Sequence, residues 1–456
     1  MSCLPGMPFA VVCEQRSRYF VVPLVVGISM ALPTFGADID SSHVLSGRSA
    51  VGIEETGTQL LDLSWRPKVQ WRFEDGGRLT GIARLRFQAE PGTRPGDIER
   101  GSYASISRPA LIGDNAELEL REFFYERSLG DWYLTLGKQQ VVWGKADGLK
   151  VLDVVNPQSF REFILEDFDQ SRIPLWTVNA EYAFSDRSGN DWTLQLLWIP
   201  DQTYHALPKR GATYAFTSPR LIPQTPPGID IQLNDPQRPV RVIRDSDAGL
   251  RLTGFLDGWD LTLNYLYQYD NQPALHQQLQ PGPTVVITPR YHRTHVLGGT
   301  FSRAFGDWVL RGEIGYFTNR FFLTDDLHDD DGVAQSAELS YVLGLDWSGI
   351  TDTFISGQLF QSRLTNYQTG FIRPEVDTSF TFLVRRMFWN DTLTTEVLWI
   401  VNTNDGDGLI RPKVSYDLDD NLEVWVGLDV FYGNRQGLFG QFTDNDRVLL
   451  GVKLGL

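Results

Sequence analysis

Residues 422–430 read LEVWVGLDV and residues 448–456 read VLLGVKLGL. In both stretches every second residue is apolar, as at Leu422, Val424 and Val426. Successive side chains of a β-strand point to opposite faces, so a period of two gathers these apolar residues on one face. The two stretches therefore predict strands with one apolar face and one polar face.

The same alternation recurs along the chain. Residues 79–88 place Leu85 and Phe87 on one face and Arg86 on the other, and residues 261–269 repeat the pattern. These strands run to about ten residues and carry aliphatic residues on one face and charges on the other, which is typical of a membrane barrel rather than a soluble sandwich. We expect the apolar face to contact lipid and the polar face to contact water.

Short turns rich in glycine and aspartate alternate with long loops, which is the asymmetry of a bacterial barrel with periplasmic turns and outer loops. Gly-Asp-Trp occurs at two of the short turns, residues 130–132 and 306–308. Tryptophan is enriched where a membrane meets water, so this placement predicts an aromatic girdle. Six of the thirteen tryptophans lie beside short turns: Trp132, Trp192, Trp259, Trp308, Trp347 and Trp389.

Seventeen strands can be placed between about Leu61 and Leu456. A barrel whose two ends both lie in the periplasm needs an even number of strands, and the segment from Val44 to Glu54 can supply one more. The sequence therefore predicts an all-β fold: a transmembrane antiparallel β-barrel of about eighteen strands, with sixteen as the alternative. Residues 38–456 would form this one domain.

The N-terminal region has the features of an export signal. Arg16 and Arg18 precede an apolar run that ends near Leu32, and small residues follow, so we expect residues 1–37 to be a signal peptide. Both cysteines, Cys3 and Cys13, lie in this segment. No later run of 18 apolar residues exists, which excludes helical membrane spans. The net charge of −16 argues against nucleic acid as a partner.

One stretch interrupts the alternation. Residues 137–174 read GKQQVVWGKADGLKVLDVVNPQSFREFILEDFDQSRIP. Ser159 and Glu162 have the spacing of a helix capping box, which predicts a short helix. The apolar residues on one face of this helix would be Phe160, Phe163, Ile164 and Phe168. Long connections with internal structure are uncommon and usually functional. We expect the loop over 142–172 to fold into the barrel mouth, as a constriction on the substrate path or as a plug.

Charged residues on the predicted lumen face and in this loop are the candidate site. The wall charges are nearly balanced in sign, so they could line a pore or only pair across strands. The loop candidates are Lys145, Asp147, Lys150, Asp153, Arg161, Glu162 and Arg172. The basic wall candidates are Arg84, Arg86, Arg121, Arg251, Arg311, Arg411 and Lys413, with Arg385 beside them, facing the acidic residues Glu117, Glu119, Glu313, Glu396, Glu423 and Asp429.

Other features carry less weight. Loops 201–245 and 271–289 are rich in proline, which stiffens them, and they could form a lid over a hydrophobic solute or pack on each other. His292 and His295 are three residues apart, on opposite faces of a strand, so they are poor co-ligands. No catalytic motif is present, and the sequence predicts no cofactor and no metal site.

The segment 137–182 resembles a family of proteobacterial outer-membrane proteins described only as a domain of unknown function. The motif is a G-[RK]-Q…W-G strand end followed by V-x-N-P. It is matched at Gly137, Lys138, Gln139, Trp143, Gly144, Val154, Asn156 and Pro157. The layout is more distantly similar to alginate-export-type porins. One departure is the C-terminal Leu456, where barrel proteins of this kind usually end in an aromatic residue.

The resemblance implies an outer-membrane channel, and members of the family are associated with transporters and the catabolism of hydrophobic compounds. We therefore expect diffusion of a small, hydrophobic or amphiphilic solute through a porin-like barrel in the cell outer membrane. The expected partners are the lipid bilayer, lipopolysaccharide and a small-molecule solute. Two alternatives remain: a non-conducting barrel that serves a periplasmic or inner-membrane transport system, and an outer-membrane hydrolase.

Overall fold

The computed structural model describes residues 38–54, 57–224, 226–326 and 329–456. The predicted signal peptide, residues 1–37, lies outside these ranges. Short helical turns occur at Pro95–Asp97, Phe168–Ser171 and Gly440–Asn445. The strands are β1 (Asp38–Gly52), β2 (Thr58–Arg72), β3 (Arg78–Gln88), β4 (Ala110–Ile112), β5 (Ala116–Leu129), β6 (Trp132–Gln139), β7 (Leu175–Ser185), β8 (Asp191–Ile199), β9 (Asp230–Leu233), β10 (Asp247–Leu256), β11 (Trp259–Tyr269), β12 (Ala274–Gln280), β13 (Thr284–Arg290), β14 (Arg293–Phe305), β15 (Trp308–Leu323), β16 (Val333–Ile350), β17 (Thr353–Leu364), β18 (Val376–Phe388), β19 (Leu393–Asn402), β20 (Asp407–Asp419), β21 (Leu422–Tyr432) and β22 (Arg447–Gly455).

Eighteen of these strands form one closed antiparallel barrel, because β4, β9, β12 and β13 lie outside the ring. The first strand pairs with the last from Val44 opposite Gly455 to Gly52 opposite Arg447, which closes the sheet. The predicted count of eighteen is confirmed. The strand predicted from Val44 to Glu54 exists, but it begins six residues earlier, at Asp38.

The two faces of the wall differ as the alternation predicts. On β3 the side chains of Leu85 and Phe87 are exposed, whereas Arg84 and Arg86 are buried toward the lumen. Exposed aliphatic and aromatic side chains continue this outer band around the ring, for example Leu263, Leu343 and Val426. The fold is a transmembrane β-barrel, in which closure leaves no unpaired strand edge in lipid.

The short turns lie at the same end of the barrel as both termini of the ring, and we call this end the inner end. Trp308 and Trp347 stack there with ring centroids 5.7 Å apart. Gly130 and Gly306 of the two Gly-Asp-Trp turns have φ of 60° and 59°, a conformation that glycine adopts without steric cost. In the described part of the chain, no helix is long and apolar enough to cross a membrane.

The predicted helix that begins at Ser159 is wrong. The Ser159 backbone N–H donates to the Ser171 carbonyl at 2.7 Å, and Phe163 has a φ of 53°, which a right-handed helix does not allow. The Glu162 side chain binds arginines instead of capping a helix. The one α-helical turn in the described ranges is Phe168–Ser171, further along the same loop.

The two proline-rich loops meet outside the barrel. Strands β12 and β13 form a hairpin in the second loop, and β9 of the first loop joins β13 in parallel from Asp230 opposite Thr284 to Leu233 opposite Ile287. The loops therefore pack on each other above the outer end of the wall.

Candidate functional site

The connection between β6 and β7, residues 140–174, enters the lumen, and we call it the crossing loop. Its ends stay together, because Gln139 pairs with Leu175. Its middle reaches strands on the other side of the barrel: the Phe163 ring lies 6.3 Å from Phe431 of β21. The loop therefore divides the lumen into an outer and an inner part.

The residues that carried the family resemblance hold the two ends of the crossing loop together. The Asn156 amide oxygen accepts the Val141 N–H at 2.6 Å, and its amide nitrogen donates to the Ile173 carbonyl at 2.9 Å. Gly144 lies against Asp153, where a Cβ atom would approach the Asp153 backbone nitrogen to 2.8 Å. The motif therefore specifies a loop that folds back on itself before it crosses.

The first anchor of the crossing loop is a carboxylate on the wall. Glu313 of β15 accepts the backbone N–H groups of Lys145, Ala146 and Leu152, the last two at 2.7 and 2.9 Å. Its neighbour Arg311 donates to the Lys145 carbonyl and pairs with the Asp147 carboxylate. Hydrogen bonds to a charged group are about twice as strong as neutral ones, so this anchor fixes residues 145–152 firmly.

Apolar contacts reinforce the first anchor. Trp143 is 1% exposed and donates its indole N–H to Gln195 of β8 at 2.8 Å. Leu152 is fully buried over Gly298 of the wall, where a Cβ atom would lie 2.6 Å from the leucine side chain. A glycine in the wall thus leaves the space that the side chain of the loop occupies.

The second anchor is a buried cluster of charges, which we call the latch cluster. Glu162 of the loop lies 2.7 Å from Arg48 of β1 and 3.0 Å from Arg447 of β22. Glu166 lies 2.9 Å from Arg86 of β3. The latch cluster comprises the four arginines Arg48, Arg86, Arg161 and Arg447 and the four carboxylates Asp62, Glu162, Glu166 and Asp429.

Both glutamates of the latch cluster are ionised at neutral pH. Their burial alone would raise the pKa of each carboxyl, but the surrounding arginines outweigh it and lower the pKa of Glu162 and of Glu166. Since cations and anions are equal in number, the cluster balances its charge internally. A buried pair of this kind is costly to break from one side, so it holds the loop against the wall formed by β22, β1, β2 and β3.

An aromatic cluster supports the crossing loop at the second anchor. Phe163 lies 4.8 Å from Phe442 and 5.8 Å from Phe439, both of the loop between β21 and β22. Tyr214 of the first proline-rich loop is fully buried in the same cluster. Phe163, one of the apolar residues that suggested a helix face, is therefore covered by two outer loops.

The structure brings together most of the predicted charges, as partners of one another or of the loop backbone. Arg161 and Glu162 are buried and do not face open solvent. The other contacts are Arg84 to Glu119, Arg121 to the Asp169 and Arg172 carbonyls, Arg172 to Asp153, Arg251 to the Val142 carbonyl, Arg385 to Glu396, Arg411 to Asp429 and the Leu165 carbonyl, Lys145 to Asp260, and Lys413 to Glu423.

Four members of the latch cluster were absent from the predicted set: Arg48, Asp62, Glu166 and Arg447. A signal for three of them exists in the sequence. Asp62 lies between Leu61 and Leu63, which both face outward, so the alternation of the strand turns Asp62 toward the lumen. The same alternation along β1 and β22 turns Arg48 and Arg447 toward the lumen. For Glu166 no strand pattern applies, because it lies in the crossing loop.

The crossing loop leaves one cavity on each side. The inner vestibule, about 340 Å³, is lined by Arg66, Lys413, Glu396 and Glu423 of the wall and by Asp169 of the loop. The outer vestibule, about 380 Å³, is lined by loop residues and by strands β11 and β15–β18. The lining of the outer vestibule combines charged and polar side chains with the rings of Phe160, Phe317 and Phe360.

The fold and this site define a transmembrane β-barrel whose lumen is crossed by an anchored loop. Residues 107–341 match the family model described as "Protein of unknown function (DUF1302)", more than half of the chain, and the protein belongs to that family. No sequence among curated proteins matches the chain.

Solved structures similar to this chain include outer-membrane proteins of three bacteria. OpdK of Pseudomonas aeruginosa with vanillate has 12% identity and a TM-score of 0.49, with 92% of this chain and 98% of that chain covered. OccAB4 of Acinetobacter baumannii has 9% identity, a TM-score of 0.49 and the same coverage. OmpF of Salmonella typhi in complex with daunomycin has 11% identity, a TM-score of 0.45 and the same coverage.

Proposed function

We propose that this protein is an outer-membrane channel through which a small solute diffuses, and that the crossing loop limits the path. The observation that supports it most is the loop itself. It is fixed at Glu313 on one wall and at Arg48 and Arg447 on another, with a cavity on each side. A closed barrel of this strand number encloses an aqueous interior unless a segment fills it.

The outer membrane is the proposed location. The ring combines an apolar outer band, a polar lumen, short turns at one end and long loops at the other, which together are typical of outer-membrane barrels. Lipid on the outside of the wall and lipopolysaccharide beside the long loops would then be its surroundings.

The hydrogen bonds of the histidines give less support to the third possibility, a hydrolase. His205 accepts the Gln158 N–H, His295 bonds to Tyr265, and His276 bonds to Asp331 and to His292. For the histidines in the described ranges, no hydrogen bond comes from a serine. Within those ranges no group of three metal-ligating side chains converges either.

A non-conducting barrel is the second candidate, because the crossing loop is tightly packed. Trp143, Arg161 and Glu162 are each no more than 2% exposed. In that case the loop would be a permanent plug, and the barrel would serve another envelope component. Permeation separates the two candidates.

Vesicles containing refolded residues 38–456 are expected to swell in isotonic solutions of small neutral solutes. The rate should fall steeply from glycerol to a disaccharide, because the two vestibules are small. Swelling is measured by light scattering beside vesicles without protein. Vesicles that contain correctly folded protein but swell in none of the solutes would favour the plug.

Lys150 in the outer vestibule provides a pH-dependent charge on the proposed path. Burial lowers the pKa of its ammonium group to about 8, while Asp153 at 3.1 Å opposes this shift and Arg172 adds to it. The group is therefore positive at pH 7 and mostly neutral at pH 9. We expect the cation-to-anion permeability ratio to rise over this interval as one positive charge is lost.

Reversal potentials in a salt gradient at pH 7 and pH 9 measure this ratio. Lys150→Gln should give the high ratio at both values, whereas the control Lys145→Gln should retain the pH step. If the permeability ratio of Lys150→Gln still rises between pH 7 and pH 9 by the same amount, the rise comes from a group other than Lys150.

A further inference from the structure

Part of the lining of the outer vestibule is apolar, and this part comes from both the wall and the crossing loop. Phe317 of β15 and Phe360 of β17 point inward, and Leu149 and Phe160 of the loop face the same cavity. Its volume of about 380 Å³ lies in the range of small-molecule sites, which are mostly apolar with a few placed polar groups. The mouth of a β-barrel is also a usual position for such a site.

The charged groups around this cavity already have partners. Arg320 lies between Asp270 at 2.8 Å and Glu338 at 2.6 Å. Lys150 pairs with Asp153, and Asp377 pairs with Arg220 at 2.9 Å. A charged solute would have to break one of these partly buried pairs or enter without a counter-ion, and both are unfavourable.

Uncharged polar groups remain available. Among the residues that the structure describes, neither the Ser340 hydroxyl of β16 nor the Gln268 side-chain amide of β11 has a hydrogen-bond partner, and both line the cavity. His205 is neutral, because burial lowers its pKa to about 3. The cavity therefore offers donors and acceptors without a free charge.

We propose that the outer vestibule is a binding site for an uncharged amphiphile with a compact apolar body, such as a single aromatic ring. The ring would pack on Phe160, Phe317 and Phe360, and a hydroxyl or carbonyl group of the solute would bond to Ser340 or Gln268. This inference rests on the proposed function, since it takes the vestibule as the entrance of the path. It names the chemical class that the entrance selects.

The inner vestibule differs in this respect. Lys413 and Glu423 are 3.8 Å apart and both partly exposed, and Arg66 and Asp169 are also accessible to water. Mixed, solvated charges of this kind do not favour a neutral ring over a charged one. The outer vestibule, and not the inner one, would therefore favour uncharged solutes over charged ones.

The test is titration calorimetry of the refolded protein at pH 7 with three probes that share one ring. The probes are 4-hydroxybenzyl alcohol, 4-hydroxybenzoate and 4-hydroxybenzylamine, which are neutral, negative and positive. The neutral alcohol should bind tighter than either charged probe by about tenfold or more. Equal or tighter binding of a charged probe, or no saturable binding of the alcohol, would overturn the assignment.

Variants locate the binding. Phe360→Ala and Ser340→Ala should each weaken binding of the alcohol, whereas Phe305→Ala, the same truncation on the lipid face, should leave it unchanged. Heats that are identical in Phe360→Ala and in the unaltered protein would show partition into detergent and contradict the site. Vesicle swelling tests the proposed function separately. Swelling combined with equal binding of the neutral and charged probes would contradict only the vestibule assignment. Selective binding of the alcohol without swelling would contradict only the channel.

Discussion

Replacing Glu162 and Glu166 together by glutamine is expected to release the crossing loop from the wall formed by β22, β1, β2 and β3. Four arginines of the latch cluster would then face two carboxylates, Asp62 and Asp429. Removing one partner of a buried ion pair costs about 3–5 kcal/mol, because the other charge stays buried without compensation. This free energy shifts the docking equilibrium of the loop by roughly a hundredfold or more.

A single cysteine reports this release. Cys3 and Cys13 are the chain's cysteines, so residues 38–456 contain none. Leu165 of the loop is 3% exposed, and Leu165→Cys should react slowly with a water-soluble maleimide when the latch is intact. In the double-glutamine background the rate should rise by roughly the same hundredfold.

The matched control is Glu375→Gln with Glu396→Gln, which removes two paired charges that do not bond to the loop. Glu375 pairs with Arg363 and Glu396 with Arg385. The control should leave the labelling of Leu165→Cys unchanged. Equal labelling in the latch variant and in the control would show that the charges do not hold the loop.

Removing residues 147–169 is expected to open the lumen. This deletion takes away Glu162, Glu166, Leu152 and Phe163, and so both the latch and the side chains that cross the barrel. The wall should remain intact, because Gln139 still pairs with Leu175 and residues 140–146 and 170–174 can connect the two strands. An unobstructed barrel of eighteen strands encloses an aqueous channel.

The wall could be predicted from the sequence because lipid and water impose a period of two on every strand. The outward Leu85 and Phe87 and the inward Arg84 and Arg86 follow directly from it. The even strand number then required a strand before Leu61, and β1 supplies it. The start of β1 at Asp38 was missed because its first residues are polar and pair beyond the apolar band.

The loop could be located but its conformation could not be predicted. Local spacing at Ser159 and Glu162 favoured a helix, whereas the Glu162 carboxylate binds Arg48 and Arg447, which come from the first and last strands of the ring. Only barrel closure brings those two arginines together. The anchor at Glu313 has the same origin, since it joins backbone groups more than 150 residues away in the chain.

The most direct test of the account is the single-channel conductance of the refolded protein in planar bilayers, beside the variant that lacks residues 147–169. We predict small unitary steps for the intact protein and steps larger by roughly threefold or more for the deletion, as expected when a segment that fills part of the barrel is removed. Steps of equal size in the two proteins would contradict a constriction by the crossing loop. If neither protein conducts although each is correctly folded and inserted, the result would contradict the channel.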